Sequence, residues 1–388
     1  MSTAVIGCGY WGKHYVRILS GIKQCAWAVD ASEPVRVALA RKYGCKDAAN
    51  ATVALADPEV KQVICATPAS THAAIVRAAL VAGKHVLVEK PLTLRADTAR
   101  ELVALAAARG LTLMVGHTFL FNARLWKLRD IVQDKAVFGS LRYITCRRTN
   151  LGPVRTDCSV LWDLAPHDVS ILQALKNGMR PERVSATGAS VLPTSVYVDV
   201  AFVTLFYPDK TVGQIHVSWC DPHKLRQVTA IGSKMRVCFD DMDAQRPITC
   251  FHQGVDVDPQ DQERSVYSDG DIVIPRVERS EPLGNQVGEF LSACRSGAGG
   301  DGPGVDAPDD NDIDGGDTAA ATAAATAAAA AVEEDSKNAA EDTGVEMEEK
   351  RTPRLRSDGD LGWVVVKILE AAEHSVGQNG VPVDLDWE

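Results

Sequence analysis

The chain has 388 residues, 24% of them charged and 46% hydrophobic, with ten cysteines and a formal net charge of -10. That length suggests two domains and a core large enough to need no disulfide or metal staple. No apolar run approaches the roughly 18 residues of a membrane-spanning helix. The cysteines form no CxxC pair, which argues against a zinc ribbon or a redox pair and leaves small buried hydrophobes or free thiols of a reducing compartment.

The acidity is local. Residues 297–350 hold 15 Asp and Glu against two Lys, so the remainder carries 36 acidic and 39 basic residues and is close to neutral. Neither a nucleic-acid groove nor a strongly acidic body follows from that balance.

In chain order, Thr3 to Ile6, Gln24 to Val29, Gln62 to Ala66, His85 to Val88 and Leu113 to Val115 read as strands buried on both faces. Amphipathic segments at Pro34 to Tyr43, Ala73 to Val81 and Asp97 to Arg109 separate them. Such alternation predicts a doubly wound parallel sheet covered by helices, an α/β domain over residues 1–120. The pattern then changes. Leu141 to Arg148, Arg183 to Val191, Val198 to Phe206, Thr211 to Trp219, Val228 to Ile231 and Met235 to Phe239 follow closely as strands, and only Leu164 to Leu175 and Asn285 to Ala293 look helical. This predicts an α+β domain over residues 121–296 with a largely antiparallel open sheet.

Residues 297–351 differ from everything around them. Eleven of the thirteen residues from Ala319 to Ala331 are alanine, and the rest of the segment is rich in Gly and Asp. With almost nothing bulky to bury, ordering it would not offset its entropy, so it reads as a disordered insertion. Residues 352–388, with a helix near Leu361 to His374, complete the fold and need a packing partner.

The sharpest motif is Gly7-Cys8-Gly9-Tyr10-Trp11-Gly12, directly after the first strand and opening a helical run. In that context Gly7 permits the tight turn, Gly9 lets a pyrophosphate approach the backbone, and Gly12 allows close helix-strand packing, as in a Rossmann dinucleotide site. Asp30 ends the next strand, where a carboxylate hydrogen-bonds ribose hydroxyls and repels a 2'-phosphate, which favours NAD over NADP. Thr67-Pro68 and Glu89-Lys90-Pro91 follow later strands, on the side where an open parallel sheet has its ligand crevice. A second constellation is Trp162-Asp163-Leu164-Ala165-Pro166-His167-Asp168. If Asp163 caps that helix, His167 lies near its positive end, which disfavours the imidazolium; a structural cap and a core histidine would explain the same residues.

Taken together, the Gly7 to Gly12 loop, Thr67-Pro68 with Thr71-His72, Glu89-Lys90-Pro91 and the Asp163/His167 pair resemble the Gfo/Idh/MocA oxidoreductase family. The resemblance runs from residue 3 to about 295 and resumes near Pro353. It implies NAD as cofactor, held by Gly7, Gly9, Tyr10, Trp11, Gly12, Asp30, Thr67, Pro68, His72 and Glu89, and it implies catalysis by Lys90, Asp163 and His167 at a substrate hydroxyl. It also implies a homo-oligomer through the outer face of the second sheet, with Val217, Trp219 and Phe206 as the apolar strand residues in view.

Residues 148–168 and Gly116 to Asn122 resemble the branch that oxidises C3 of UDP-N-acetylglucosamine or its uronic acid. On that likeness His117, Asn150 and Arg155, with Lys90 and His167, contact the substrate; a fixed guanidinium suits a phosphate or carboxylate, although Arg155 would also serve as an exposed residue with no ligand. Other readings stay open: oxidation of a free polyol or aldose of the inositol or glucose type, or an NAD-binding regulator without catalysis. No histidine spacing suits a metal, so none is expected. A small-molecule substrate, no nucleic acid and no membrane are expected as partners. The first strand begins at Thr3 without a visible targeting segment, which predicts the cytoplasm.

Overall fold

The first half of the chain builds six strands and their crossovers: β1 (Ser2–Ile6), α1 (Gly12–Gly21), β2 (Cys25–Val29), α2 (Glu33–Tyr43), β3 (Lys46–Ala48), α3 (Ala51–Ala56), β4 (Val60–Cys65), α4 (Ala69–Val81), β5 (His85–Glu89), α5 (Ala96–Ala108) and β6 (Leu113–Gly116). The sheet order is β3-β2-β1-β4-β5-β6, and every pairing is parallel. The central strands are sealed on both faces; Val63, Ile64, Val86, Leu87 and Val88 have no exposed surface. Their continuous apolar runs are the sign of such double burial. The coordinates are a computed structural model that describes residues 2–193, 195–257, 260, 264–296 and 356–388. The expected insertion at residues 297–351 therefore lies outside the described residues.

The second half continues with α6 (Ala123–Gln133), β7 (Leu141–Leu151), α7 (Val160–Leu175), β8 (Arg183–Ala189), β9 (Val200–Phe206), β10 (Val212–Ser218), β11 (Cys220–Gly232), β12 (Arg236–Asp240), β13 (Ile248–Phe251), β14 (Gly254–Val257), β15 (Ser265–Ser268), β16 (Ile272–Val273), α8 (Pro282–Ser296), α9 (Gly359–Gly377) and β17 (Val383–Asp384). Nine of these strands form one sheet in the order β16-β13-β12-β11-β7-β10-β9-β8-β17. Its ladders are antiparallel except for β10 beside β7, which is parallel. The α/β plus α+β architecture read from the strand pattern is the one observed.

Three departures have plain causes. The edge strand β3, three residues long, carries Lys46 and Asp47, so it has no apolar run to announce it. Helix α6 buries Leu125, Leu128 and Val132, a narrow stripe among charges that the sequence pattern did not reveal. Strand β11 begins at Cys220, eight residues before the expected Val228, because Pro222 and a run of charged residues mask its start.

A fourth concerns the face expected to meet a second copy. Val217 and Trp219 are sealed in the core, whereas the half-buried Phe206 does share the outer face with Tyr143 and Phe202, and Phe202 stacks on His216 at 4.5 Å. The alternation of the strands decides this: a one-residue step moves a side chain to the other face.

The helix after the insertion finds partners on both sheets. Helix α9 packs against α5 and β6 on one side and α7 and β8 on the other. Its Asp358 cap accepts from Leu361 N at 2.8 Å, and Gly362 lets it close in, since a Cβ there would lie 2.4 Å from Val115 Cγ2. Just before it, Ser357 extends the first sheet through main-chain and hydroxyl bonds to Val115.

Candidate active site

One cavity of about 1490 Å³ runs from the Gly7 to Gly12 loop, past the ends of β2, β4 and β5, to α7 and the start of β11. It exceeds the roughly 300–1000 Å³ of a single small-ligand pocket, so it has room for a dinucleotide and a second molecule.

At the dinucleotide end, each glycine has a separate reason. Gly7 sits at φ +86°, and a Cβ there would lie 2.7 Å from the main chain of Ala66 and Thr67, where two strand ends meet. A Cβ on Gly12 would lie 1.8 Å from the Gly7 carbonyl oxygen, so the helix start can lie on the loop only as glycine. Gly9 differs: a Cβ there would meet nothing within 4 Å, and the residue lines the cavity. That open face is where a phosphate would approach. No side chain caps α1, although Lys13 N and His14 N already donate to the Gly9 and Trp11 carbonyls at 3.4 and 3.0 Å.

Asp30 also lines the cavity, oriented by Cys8 N donating to Oδ2 and Ser32 N to Oδ1, both at 2.8 Å. Tyr10 is 83% exposed and stacks on Trp11 at the mouth. Thr67 and Pro68 line the wall, braced by the Thr71 hydroxyl, 2.7 Å from both Thr67 Oγ1 and the Pro68 carbonyl. These residues fit NAD: an open glycine turn, a helix start without a side-chain cap and an anchored carboxylate.

His72, expected on the cofactor, is instead behind the wall. It is buried and its two ring nitrogens lie 2.8 Å from the Pro91 carbonyl and 2.9 Å from that of Thr67. It ties two strand ends together, and burial holds its pKa down. Glu89 lies at the cavity floor, accepting from the Tyr15 hydroxyl at 2.7 Å and from Lys90 N at 3.2 Å. Burial pushes its carboxyl up, against the hydrogen bond from Tyr15.

The centre of the cavity brings Lys90, Asp163 and His167 together. Lys90 Nζ donates to the Asp163 carbonyl at 2.6 Å and to its Oδ1 at 3.2 Å. Arg155 reaches the same Oδ1 at 3.4 Å and pairs with Asp157 at 2.7 Å. Burial alone would raise the Asp163 carboxyl, but Lys90 and Arg155 hold it below the usual range.

The expectation that Asp163 caps its helix is corrected. Ser159 occupies the cap position of α7, Asp163 lies at the end of the first turn, and His167 is two turns inside. The helix end therefore does not keep His167 neutral. Burial does so first, then the charges of Lys90 and Arg148, and together they hold its pKa well below the usual value. Its Nδ1 is enclosed without a partner, which leaves Nε2 as the nitrogen a ligand could reach.

The expected substrate contacts divide. Asn150 and Arg155 line the cavity, with the Asn150 amide donating to the Gly152 carbonyl at 2.6 Å. His117 does not: it is fully buried, both ring nitrogens lack a partner, and burial followed by the Lys90 charge takes its pKa down to about 3. Sequence reasoning missed Phe119, Lys224, Arg226 and Asp241, which also line the cavity. Lys224 and Arg226 belong to the masked start of β11, and no local signal marks them. Among the described residues no cluster suits a metal ion, and no helix is long and apolar enough to cross a membrane.

Comparison with known proteins follows this geometry. UDP-N-acetylglucosamine 3-dehydrogenase of Acidithiobacillus ferrooxidans is 31% identical over 206 residues, 53% of this chain and 63% of that enzyme. Inositol 2-dehydrogenase of Rhodococcus jostii is 31% identical over 182 residues, 44% of this chain and 49% of that enzyme. The chain thus matches between about half and two thirds of the length of these curated relatives. The crystal structure of GenD2 from gentamicin A biosynthesis in complex with NAD superposes with a TM-score of 0.72 at 23% identity, covering 100% of this chain and 96% of that one. At that identity it speaks for the fold alone.

The profile described as oxidoreductase family, NAD-binding Rossmann fold, matches residues 1–117, and the GFO/IDH/MocA C-terminal domain matches residues 126–238, together more than half of the chain. With the glycine loop, the anchored Asp30 and the two-sheet architecture all in place, the chain belongs to the Gfo/Idh/MocA family of NAD-binding oxidoreductases.

Proposed function

We propose that this protein oxidises a ring hydroxyl of a sugar, at C3 of a nucleotide sugar such as UDP-N-acetylglucosamine or its uronic acid, to the keto sugar. The observation that carries the reading is the meeting of Lys90, from the end of β5, with Asp163 and His167, from α7, in the cavity that also holds the glycine loop. NAD, when bound, supplies the acceptor for the hydride that leaves the carbinol carbon. His167 is held neutral, so its Nε2 can take the hydroxyl proton as the carbonyl forms. The Lys90 ammonium hydrogen-bonds the same oxygen and stabilises the charge that develops there. Asp163 fixes that ammonium and balances its charge. Phe119 and Trp162 enclose the centre and keep bulk water from it.

The nucleotide sugar rests on the likeness to the Acidithiobacillus enzyme. A free polyol is the second reading, favoured by the equal identity to inositol 2-dehydrogenase. A panel of nucleotide sugars, free aldoses and inositol, followed by NADH absorbance, separates them. Reduction of NAD by inositol but by no nucleotide sugar would overturn the first. A second copy of the chain is proposed on the outer sheet face, where Tyr143 and Phe202 are each nearly half exposed. Light scattering of wild type against Phe202→Glu tests it: a shift to the monomer mass in the variant is expected.

A further inference from the structure

Beyond His167 the cavity has a wall that the proposed chemistry leaves unused. Phe119 turns its ring edge-on to His167, with centroids 5.3 Å apart and planes at 63°. Two guanidinium groups lie over that one ring, Arg148 at 4.3 Å and Arg226 at 5.9 Å. They face each other across the β7–β11 ladder, where like charges repel.

The chain resolves that repulsion differently for the two. Arg148 is 4% exposed and makes a bidentate pair with Asp168, at 2.9 and 2.8 Å. Its charge is spent internally. Arg226 keeps 40% of its side chain exposed, lines the cavity and uses one nitrogen, NH1, on Asp241 Oδ2 at 3.3 Å. The other Asp241 oxygen accepts from Asn122 Nδ2 at 3.2 Å, so Asp241 is held as an orienting group. Most of the five donors of Arg226 remain available. Two residues earlier, Lys224 lines the same wall, exposed and with no ion pair among the described residues.

The charges of the cavity are divided along its length. Asp30 and Glu89 line the cavity near the dinucleotide loop, Arg17 and Glu281 pair with each other, and elsewhere along it Lys90, Arg155, Lys224 and Arg226 outnumber Asp163 and Asp241. Arg226 is one aromatic ring away from His167. That is about the breadth of a sugar ring, so a group attached to a sugar reacting at His167 would fall within its reach.

We propose that Arg226, assisted by Lys224, recognises an oxyanion carried by the substrate, and that Phe119 sets its distance from the reacting carbon. This rests on the sugar dehydrogenase reading of the cavity. The oxyanion could come from a sugar carboxylate or from a nucleotide phosphate, and one experiment separates the sources. UDP-N-acetylglucosamine, its uronic acid and free N-acetylglucosamine are compared with wild type, Arg226→Gln, Arg226→Lys and Arg226→Gln/Lys224→Gln.

For a carboxylate, wild type prefers the uronic acid, and Arg226→Gln removes that preference by raising KM for the uronic acid roughly 10- to 100-fold more than for the neutral sugar nucleotide. For a phosphate, Arg226→Gln raises KM for both nucleotide sugars alike and by much more than for the free sugar. In either case Arg226→Lys restores part of the loss, which a merely structural role would not do. The proposal is overturned if the double variant keeps every KM within about twofold of wild type. If wild type reduces no NAD with any sugar, the dehydrogenase reading fails separately. Calorimetric titration of the NAD-loaded protein with the uronic acid nucleotide then decides the proposal alone: binding lost in Arg226→Gln supports it, and binding retained or absent throughout overturns it.

Discussion

The Lys90 ammonium is held by one residue of the opposite helix, Asp163, which accepts from it through both its main-chain oxygen and its carboxylate. This contact joins the end of the parallel sheet to α7, and it holds the amine within the cavity before any substrate enters. Removing a preorganised donor of this kind typically costs 10²- to 10³-fold in kcat. Lys90→Ala is therefore expected to lower kcat by about that factor while NAD affinity, measured by fluorescence titration, stays within a few-fold.

His167 answers to a different readout. A base held neutral by burial and by neighbouring cations keeps working at acidic pH. The acid limb of kcat/KM is expected to lie below pH 6.5, the usual histidine range. His167→Gln should cost about 10²- to 10⁴-fold in kcat and abolish that limb. An unchanged pH profile in the variant would remove His167 from the proton transfer.

Two glycines of one loop should respond in opposite ways. Gly12→Ala puts a methyl 1.8 Å from the Gly7 carbonyl, so the loop must move; lowered thermal stability and weakened NAD binding are both expected. Gly9→Ala meets nothing in the protein, so its melting temperature should match wild type while NAD affinity falls, because the methyl occupies the ligand's approach. Thermal melts with and without NAD separate the two.

Asp30→Ala removes the acceptor that Cys8 N and Ser32 N now share. Affinity for NAD should fall about tenfold and discrimination against NADP should shrink, since the repulsion of a 2'-phosphate is lost. Paired Kd values for the two dinucleotides test it.

His117 predicts a pH dependence of stability. Its folded pKa, down to about 3, lies below the roughly 6.5 of an unfolded histidine, so below pH 6.5 the unfolded chain binds more protons. Stability is fully present above pH 6.5 and is lost as pH falls toward the folded value. Between pH 6.5 and 5 the loss from this residue is about 2 kcal/mol. Chemical denaturation across that range should show a shallower slope in His117→Phe.

Much of the site was legible because its chemistry is written in short segments. The glycine loop, Asp30 and Glu89-Lys90-Pro91 each sit at a strand end, and the periodicity that places the strands also places them at the crevice. His72 and His117 were legible as residues and not as roles. Whether an imidazole faces a ligand or bridges two carbonyls depends on which side of a wall it lies, and neither spacing nor composition carries that.

From residue order alone came the two-sheet architecture and the NAD-binding turn, while the grouping of Lys90, Asp163 and His167 came from the family resemblance of their motifs. These depend on local periodicity and on residue identity, both properties of adjacent positions. Only the tertiary structure decided why His167 stays neutral, where α7 begins, and that Arg226 and Lys224 share the cavity. Burial, charge and cross-strand register act through space, between residues such as Lys90 and Arg226, 136 positions apart, so no local window of the chain contains them.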